Sequence, residues 1–373
     1  MPITIDKPIR ILHTESSPSL GGQELRILYE MEAMAEQGFV SWLIARADTP
    51  IVAEAERRGL KVEGIPIRST IDPLAILYFL RFLRRHRIDV VNAHNSKDGW
   101  NVSLAARLLG IPILRSRHIG NPIRSGKLRQ LIYGPLCDVV MTTSESIRQA
   151  MIDKGVDGDK IVSIPTGVDI QRYASGTAGR FRASLGIPAD VPLVGQVAVL
   201  RGSKGPHVFL EAAQQLVAGG CAAWFVLVGE GPARPRLEKM LACQPSERIL
   251  LAGYRPDIPD VLADLDLAVL SATQPEGVPQ AVLQAFSAGV PVIASDLGGI
   301  NEVAIDGRTA TTLPAKNPEK LAAAMAAFLE NPAPARSLVT PALDFARSRY
   351  DIQSMLDRME QLYSELAERT HPR

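Results

Sequence analysis

The richest concentration of residues able to do chemistry runs from Gln274 to Glu302. It reads Gln274-Pro-Glu276-Gly277-Val278-Pro279-Gln280, and then Ala288-Gly289-Val-Pro291-Val-Ile-Ala-Ser295-Asp296-Leu-Gly298-Gly299-Ile300-Asn-Glu302. A carboxylate and a glycine at the mouth of a helix can hold sugar hydroxyls while open backbone N–H groups and the helix dipole hold a phosphate. Gln284 stands eight residues after Glu276, about two helical turns on, which puts it on nearly the same face and within reach of another part of one ligand.

Other groups point the same way. Arg201-Gly-Ser-Lys204-Gly205 places a guanidinium and an ammonium beside a flexible turn, a pair suited to a diphosphate. Gly229-Glu-Gly231-Pro232 closes a strand and opens a helix, so bare backbone can cup a nucleotide there. It is not the dinucleotide fingerprint, because Arg234 stands where the third glycine belongs. In the first half, Gly21-Gly22 opens a helix after the first strand, and His94 and His118 each end a strand, His118 with Arg117 beside it. Asp264-Leu-Asp266 spells the D-x-D of metal-dependent transferases, but it falls where a helix gives way to a strand, and no metal or other cofactor is expected.

These residues need strands to carry them. Short aliphatic runs alternate with longer amphipathic stretches, the pattern of parallel strands joined by crossover helices. Strands are expected at 9–13, 40–45, 62–67, 90–93, 113–116, 139–143 and 161–164, and in a second series at 194–200, 224–229, 249–251, 267–270, 292–294 and 310–313. The small residues of 172–180 read as a linker. The expected domains are 1–175, 176–348, and a terminal helix, 349–373, whose apolar stripe of Met355, Met359, Leu362, Tyr363 and Leu366 packs back on the first domain. Six Gly-rich turns follow strands in both halves, which points to a ligand cleft between them.

Composition restricts the alternatives. Lys and Arg number 41 against 40 Asp and Glu, so no global charge marks a nucleic-acid partner. The positive charge is local: Arg81, Arg84, Arg85, Arg87, Lys97, Arg107, Arg115, Arg117, Arg124, Lys127 and Arg129 face only Asp89 and Asp98 within 81–129. Such a stretch is either a solvated basic face or an attractor of an anionic membrane surface. Cys137, Cys221 and Cys243 form neither a disulfide framework nor a zinc pattern, and no run is long enough for a signal peptide or a bilayer span. A cytoplasmic protein is expected, peripheral on the inner membrane face if the basic stretch binds lipid. Asn101-Val-Ser103 is then a chance sequon.

Glu276, seven residues, Gln284, a Gly-Val-Pro-Val-Ile strand and Gly298-Gly299-Ile-Asn-Glu302 together resemble the retaining glycosyltransferases of family 4. Support extends over about residues 9 to 365, through Gly21-Gly22, Asp89-Val-Val-Asn-Ala-His94, His118, Thr143-Ser144-Glu145 and Ile164-Pro-Thr-Gly167-Val168-Asp169. The resemblance implies a GT-B fold: two Rossmann-like doubly wound domains facing a cleft. It implies transfer of a hexose-type sugar from a UDP- or GDP-linked donor to a glycan or lipid-linked acceptor, as in lipopolysaccharide or envelope polysaccharide synthesis. In it Glu276 and the N–H groups of Gly277 and Val278, before Pro279, orient the sugar. Arg201 and Lys204 hold the diphosphate, Gly21-Gly22 approach it, and His118 reaches the sugar or acceptor side, with His94 and Arg117 beside it. The position of Gln284 usually carries a Glu that binds ribose; the amide keeps an acceptor oxygen without the charge. That change leaves open a module that binds nucleotide-sugar without transferring it, and a nucleotide-sugar epimerase is a further class on the same architecture.

Overall fold

A computed structural model describes residues 8–18, 20–118 and 127–370, the side chains of 127–129 and 370 excepted. Arg124 of the basic stretch lies outside the described residues, as do the side chains of Lys127 and Arg129. The chain divides into two compact units. Unit 1 runs to Thr166 and resumes at Gln353; unit 2 is Gly167–Ile352.

Unit 1 carries seven parallel strands: β1 (Arg10–Glu15), β2 (Val40–Arg46), β3 (Val62–Ile65), β4 (Val90–Ala93), β5 (Ile113–Arg117), β6 (Val139–Thr142) and β7 (Ile161–Ser163), in the order β3-β2-β1-β4-β5-β6-β7. Unit 2 carries six: β8 (Leu193–Val197), β9 (Trp224–Val228), β10 (Ile249–Gly253), β11 (Leu267–Leu270), β12 (Val292–Asp296) and β13 (Thr311–Pro314), in the order β10-β9-β8-β11-β12-β13. All paired strands are parallel, so each must be covered on both faces by the helices that return the chain. Along β9, Phe225 and Leu227 enter one core while Val226 and Val228 enter the other. In β2, Ile44 joins the cluster of Phe79 and Phe82, whereas Leu43 and Ala45 pack with Ile27, Leu28 and Met31.

The crossovers reverse direction between β1 and β4 in unit 1 and between β8 and β11 in unit 2. In open sheets of this kind the helices diverge at the reversal, and the crevice beyond the carboxyl ends of those strands takes the ligand. The turns after β1, β4, β8 and β11 therefore position the chemistry.

Two expectations need correction, the stretch 172–180 and the end of β8. The stretch 172–180 is not a free linker, since the crossing into unit 2 comes after Thr166 and the stretch is packed within that unit. Its glycine is there for contact: a Cβ on Gly176 would lie 2.0 Å from the Pro259 carbonyl oxygen. Asp264 and Asp266 lie, as expected, where the helix Ile258–Asp264 gives way to β11, and both have structural tasks. Asp264 accepts the backbone N–H groups of Gly179 and Arg182, and Asp266 accepts the Arg182 guanidinium and the Leu193 N–H. Finally, β8 ends at Val197, not 200, because Ala198 to Leu200 turn to pair with the loop Gly229–Gly231. The sequon asparagine is buried: Asn101 lies inside the helix Ser96–Leu109 and accepts the Asp72 N–H at 2.7 Å.

The helix Ile352–Thr370 belongs with unit 1 from Gln353 on, its Met355, Leu356, Met359, Tyr363 and Leu366 buried. Tyr363 reaches the sheet: its hydroxyl accepts from Asn92 Nδ2 at 2.7 Å and donates to Glu30.

Candidate functional site

In unit 2 the reversal point brings together residues far apart in sequence. After β8 the chain makes a short 3-10 turn, Gly202–Lys204, before the helix Pro206–Ala218; after β11 it runs through Ser271 and Thr273 to Glu276. The two loops are tied by hydrogen bonds from Thr273 N to the Ser203 carbonyl and from Thr273 Oγ1 to the Gly202 carbonyl, both 2.8 Å. Buried Gln196 on β8 donates to the Lys204 carbonyl at 2.8 Å, and its Oε1 lies 2.7 Å from the Ser271 hydroxyl. Gly205 has φ +64°, and a Cβ there would stand 1.7 Å from the Ser271 carbonyl oxygen, so only glycine lets the turn approach so closely. These supports aim the Lys204 ammonium at the Glu276 carboxylate, with which it pairs through Oε2.

Glu276 has a second oxygen, Oε1, that is buried and finds no hydrogen-bond partner among the described residues. A buried carboxylate oxygen left unpaired costs about 1–3 kcal/mol, which a polar ligand would recover. Behind it, the Gly298–Gly299 turn packs on the same loop. Gly299 N donates to the Glu276 carbonyl at 3.0 Å, and a Cβ on Gly299 would come within 2.7 Å of that oxygen. Just beyond lies the helix Gln280–Ser287, with Pro279 at its N-cap and no side chain capping its first turn. Gln284 on that helix donates from Nε2 to the Tyr173 hydroxyl at 3.0 Å, which orients its amide.

Other expected site residues are placed differently. Arg201 is exposed at the start of the 3-10 turn and is not brought onto Glu276 as Lys204 is. Gly229 and Gly231 have φ of +136° and +155°, and their Cβ atoms would collide with the carbonyl oxygens of Ala198 and Leu200 at 2.0 and 2.5 Å. Packing of the β9 loop on the β8 loop therefore already requires both glycines.

In unit 1 the reversal point holds a different set. Gly21 is extended, its N–H donating to Glu24 at 2.7 Å, and Gly22 begins the helix Gly22–Glu36 with nothing within 4 Å of where its Cβ would be. Among the described residues no packing asks for glycine at 22. Glu15, at the end of β1, accepts the N–H groups of Ser16 and Ser17 at 2.7 Å and Asn95 Nδ2 at 3.0 Å, together with the Gln23 amide. Burial and the nearby Asp98 carboxylate push its pKa up to about 7. Arg117 is half-buried and donates to the Tyr133 hydroxyl at 3.3 Å.

His118 and His94 are joined by a third histidine. His94 Nδ1 lies 3.0 Å from His118 Nε2, and His94 Nε2 lies 3.0 Å from His13 Nδ1 on β1. His13 and His94 stack with centroids 5.3 Å apart. Burial lowers the His13 pKa to about 3 and holds His94 and His118 well below the usual imidazole range, with Arg26 adding to the effect on both. Three neutral imidazoles thus run from the buried β1 strand to the partly exposed His118. His13 escapes a sequence reading because it is a single histidine inside an apolar run. The signal lies in the strand order: β1, β4 and β5 are neighbours, with His13 inside β1 and His94 and His118 each just past the end of its strand.

Comparison with known proteins agrees with this geometry. Residues 20–172 match the family described as Glycosyltransferase Family 4, and residues 178–342 match Glycosyl transferases group 1. The Escherichia coli UDP-Gal:alpha-D-GlcNAc-diphosphoundecaprenol alpha-1,3-galactosyltransferase is 28% identical over 314 residues, covering 79% of this chain and 81% of that protein. Among solved structures, a glycosyltransferase from Rickettsia africae superposes with a TM-score of 0.88 at 18% identity, over 97% of this chain and 99% of that one. The Anabaena HepE protein in complex with UDP-glucose does so with a TM-score of 0.82 at 21% identity, over 96% and 100%. At those identities the likeness establishes the fold, while the two family profiles cover successive stretches, the first carrying β2 to β7 and the second β8 to β13. The chain therefore belongs to the GT-B glycosyltransferases of family 4, its second unit carrying the group 1 glycosyl transferase domain.

Proposed function

We propose that this glycosyltransferase moves a hexose-type sugar from a UDP- or GDP-linked donor to a glycan or lipid-linked acceptor, with retention of anomeric configuration and without a metal ion. The observation that carries the reading is Glu276: one carboxylate oxygen paired with Lys204, the other buried and unpartnered, at the mouth of an uncapped helix. The Lys204 ammonium and the N–H groups of Gly277 and Val278, just before the helix, are suited to a departing diphosphate, which is what a metal-free transfer requires. Gln284, its amide held by Tyr173, keeps an oxygen for the ribose. In unit 1, His118 and the sterically unexplained Gly22 are read as groups for sugar and phosphate. The E. coli relative's diphosphoundecaprenol acceptor supports a lipid-linked acceptor here.

The test is turnover of UDP- and GDP-sugars with polyprenyl-diphosphate-linked glycans in the presence of EDTA, with NMR of the anomeric proton of the product. An α-linked product from an α-linked donor, undiminished by EDTA, is expected. An inverted product or loss of activity on chelation overturns the retaining or the metal-free part, and binding without nucleoside diphosphate release overturns transfer itself.

The helix Pro73–His86 supports a membrane-associated acceptor. It buries Ala75, Phe79, Phe82 and Leu83 and turns Leu74, Leu77, Arg81, Arg84 and Arg85 outward, with Leu74 65% exposed and the adjoining Ile71 54% exposed. An apolar end continued by cations suits an anionic leaflet. Each such cation contributes about 1 kcal/mol, so reversing three should weaken partition by more than roughly a hundredfold. Sedimentation with phosphatidylglycerol vesicles should pellet the wild type and leave Arg81→Glu/Arg84→Glu/Arg85→Glu in solution. If both stay in solution, the membrane reading fails. Among the described residues no helix is long and apolar enough to cross a bilayer.

A further inference from the structure

We propose that His13, His94 and His118 form one tautomeric unit, and that the buried end of the chain at His13 fixes His118 in its Nδ1–H form. His118 then offers the substrate a hydrogen-bond donor without a positive charge. The inference rests on the reading that His118 faces the sugar.

Each neutral imidazole carries one N–H and one lone pair. Each of the two ring-to-ring contacts, 3.0 Å long, needs one hydrogen between its nitrogens. If His94 holds its hydrogen on Nδ1, it donates to His118 Nε2, and His118 must keep its own on Nδ1. The bare Nε2 of His94 must then accept from His13 Nδ1. If His94 holds its hydrogen on Nε2, the same reasoning puts all three on Nε2. Any mixed state leaves a contact with two hydrogens or none. The three rings therefore change tautomer together or not at all.

The ends decide between the two states. His13 Nε2 is buried and has no hydrogen-bond partner among the described residues. In the all-Nε2 state it would be an orphaned N–H; in the all-Nδ1 state it is a lone pair. Buried donors without an acceptor are the rarer defect in folded proteins. The nearest ring on that side, Tyr363, stands edge-on with its centroid 6.2 Å away, and its hydroxyl is already engaged by Asn92 and Glu30. A third state, with an extra proton on the chain, is opposed by the burial that holds these imidazoles neutral. Neutrality suits the site, because an imidazolium would repel the positive charge that develops on a sugar as its bond to phosphate breaks.

His13 and His94 are thus positioning residues, and the readout is the tautomer itself. The full chain labelled with 15N-histidine is measured at neutral pH by two-bond 15N–1H correlation. All three rings are expected to be protonated on Nδ1 alone. His13→Met replaces the buried end by a weak acceptor with no donor, which should draw the His94 hydrogen to Nε2 and carry His118 with it. Transfer should fall by about tenfold, the loss of roughly one hydrogen bond. A wild-type His118 protonated on Nε2 or present in both forms overturns the proposal, as does a His118 unmoved in His13→Met. Should that variant not fold, the wild-type spectrum and His94→Met decide in its place. If His118→Ala retains full activity, the sugar-facing reading fails while the spectrum still decides the tautomer.

Discussion

Glu276→Ala should reduce transfer by roughly a thousandfold or more, to the level of donor background, while the protein remains folded. The expectation follows from what the carboxylate does on each side. Oε2 holds Lys204, whose backbone is fixed by Gln196 and by the Thr273 contacts, and Oε1 is left for a ligand. Alanine removes the group that receives the sugar hydroxyls and frees the ammonium from its anchor, so donor orientation and leaving-group neutralisation fail together. The cost to folding should be small: the pair is 20–28% exposed, and ion pairs that reach solvent contribute about 0–1 kcal/mol. Glu276→Gln should be intermediate, since the amide keeps an acceptor but not the charge that holds Lys204. Gln284→Glu is expected to stay within about threefold of wild type, because the Tyr173 hydroxyl can donate to a carboxylate as readily as it accepts from the amide. Steady-state release of nucleoside diphosphate, with circular dichroism for folding, measures all three. A Glu276→Ala enzyme that turns over normally would sink the assignment of this site.

Local features of the site were legible in the sequence, and features made by strand order were not. The runs Val90–Ala93 and Leu267–Leu270 agree to the residue because they are short runs, aliphatic but for Asn92, bounded by Asp and by Ser or His. The Glu276 loop and the Gly298–Gly299 turn lie within one stretch of chain, so their spacing alone joins them. Lys204 reaches Glu276 only because β8 and β11 are neighbours, a pairing that composition does not state. The glycines at 229 and 231 were legible as a turn but not in their purpose, which is the close approach of Ala198 and Leu200. The same holds for Asp264 and Asp266, whose spacing suggests a metal and whose partners are Arg182 and nearby N–H groups. His13 depends wholly on the β1-β4-β5 order, and Gln196 and Ser271 are ordinary core-strand polar residues until the loops they support are in view.

The terminal helix gives the second large expected effect, this time on stability. Tyr363→Phe should destabilise unit 1 by about 3–4 kcal/mol, since it leaves two buried polar groups without partners at about 1–3 kcal/mol each. Those groups are Asn92 Nδ2 and the Glu30 carboxylate, whose other oxygen already has no hydrogen bond and lies 3.9 Å from Arg26 Nε. In a unit of this size that loss corresponds to a fall of roughly 10 °C in its unfolding transition. The deficit should also depend on pH. Burial raises the Glu30 pKa above its ordinary value of 4.5, and loss of the tyrosine donor raises it further. A carboxyl with a raised folded-state pKa binds more protons folded than unfolded, so its stability contribution falls as pH rises above that ordinary value. The variant should therefore stand nearest the wild type at about pH 4–5 and fall behind it toward neutrality. Adding Glu30→Gln to Tyr363→Phe removes the stranded charge and should recover part of the loss and flatten the pH dependence. Thermal unfolding of the three variants and the wild type across that range reads both effects. A Tyr363→Phe protein that melts with the wild type at neutral pH would mean that apolar burial alone, through Met355, Leu356, Met359 and Leu366, holds the helix in place.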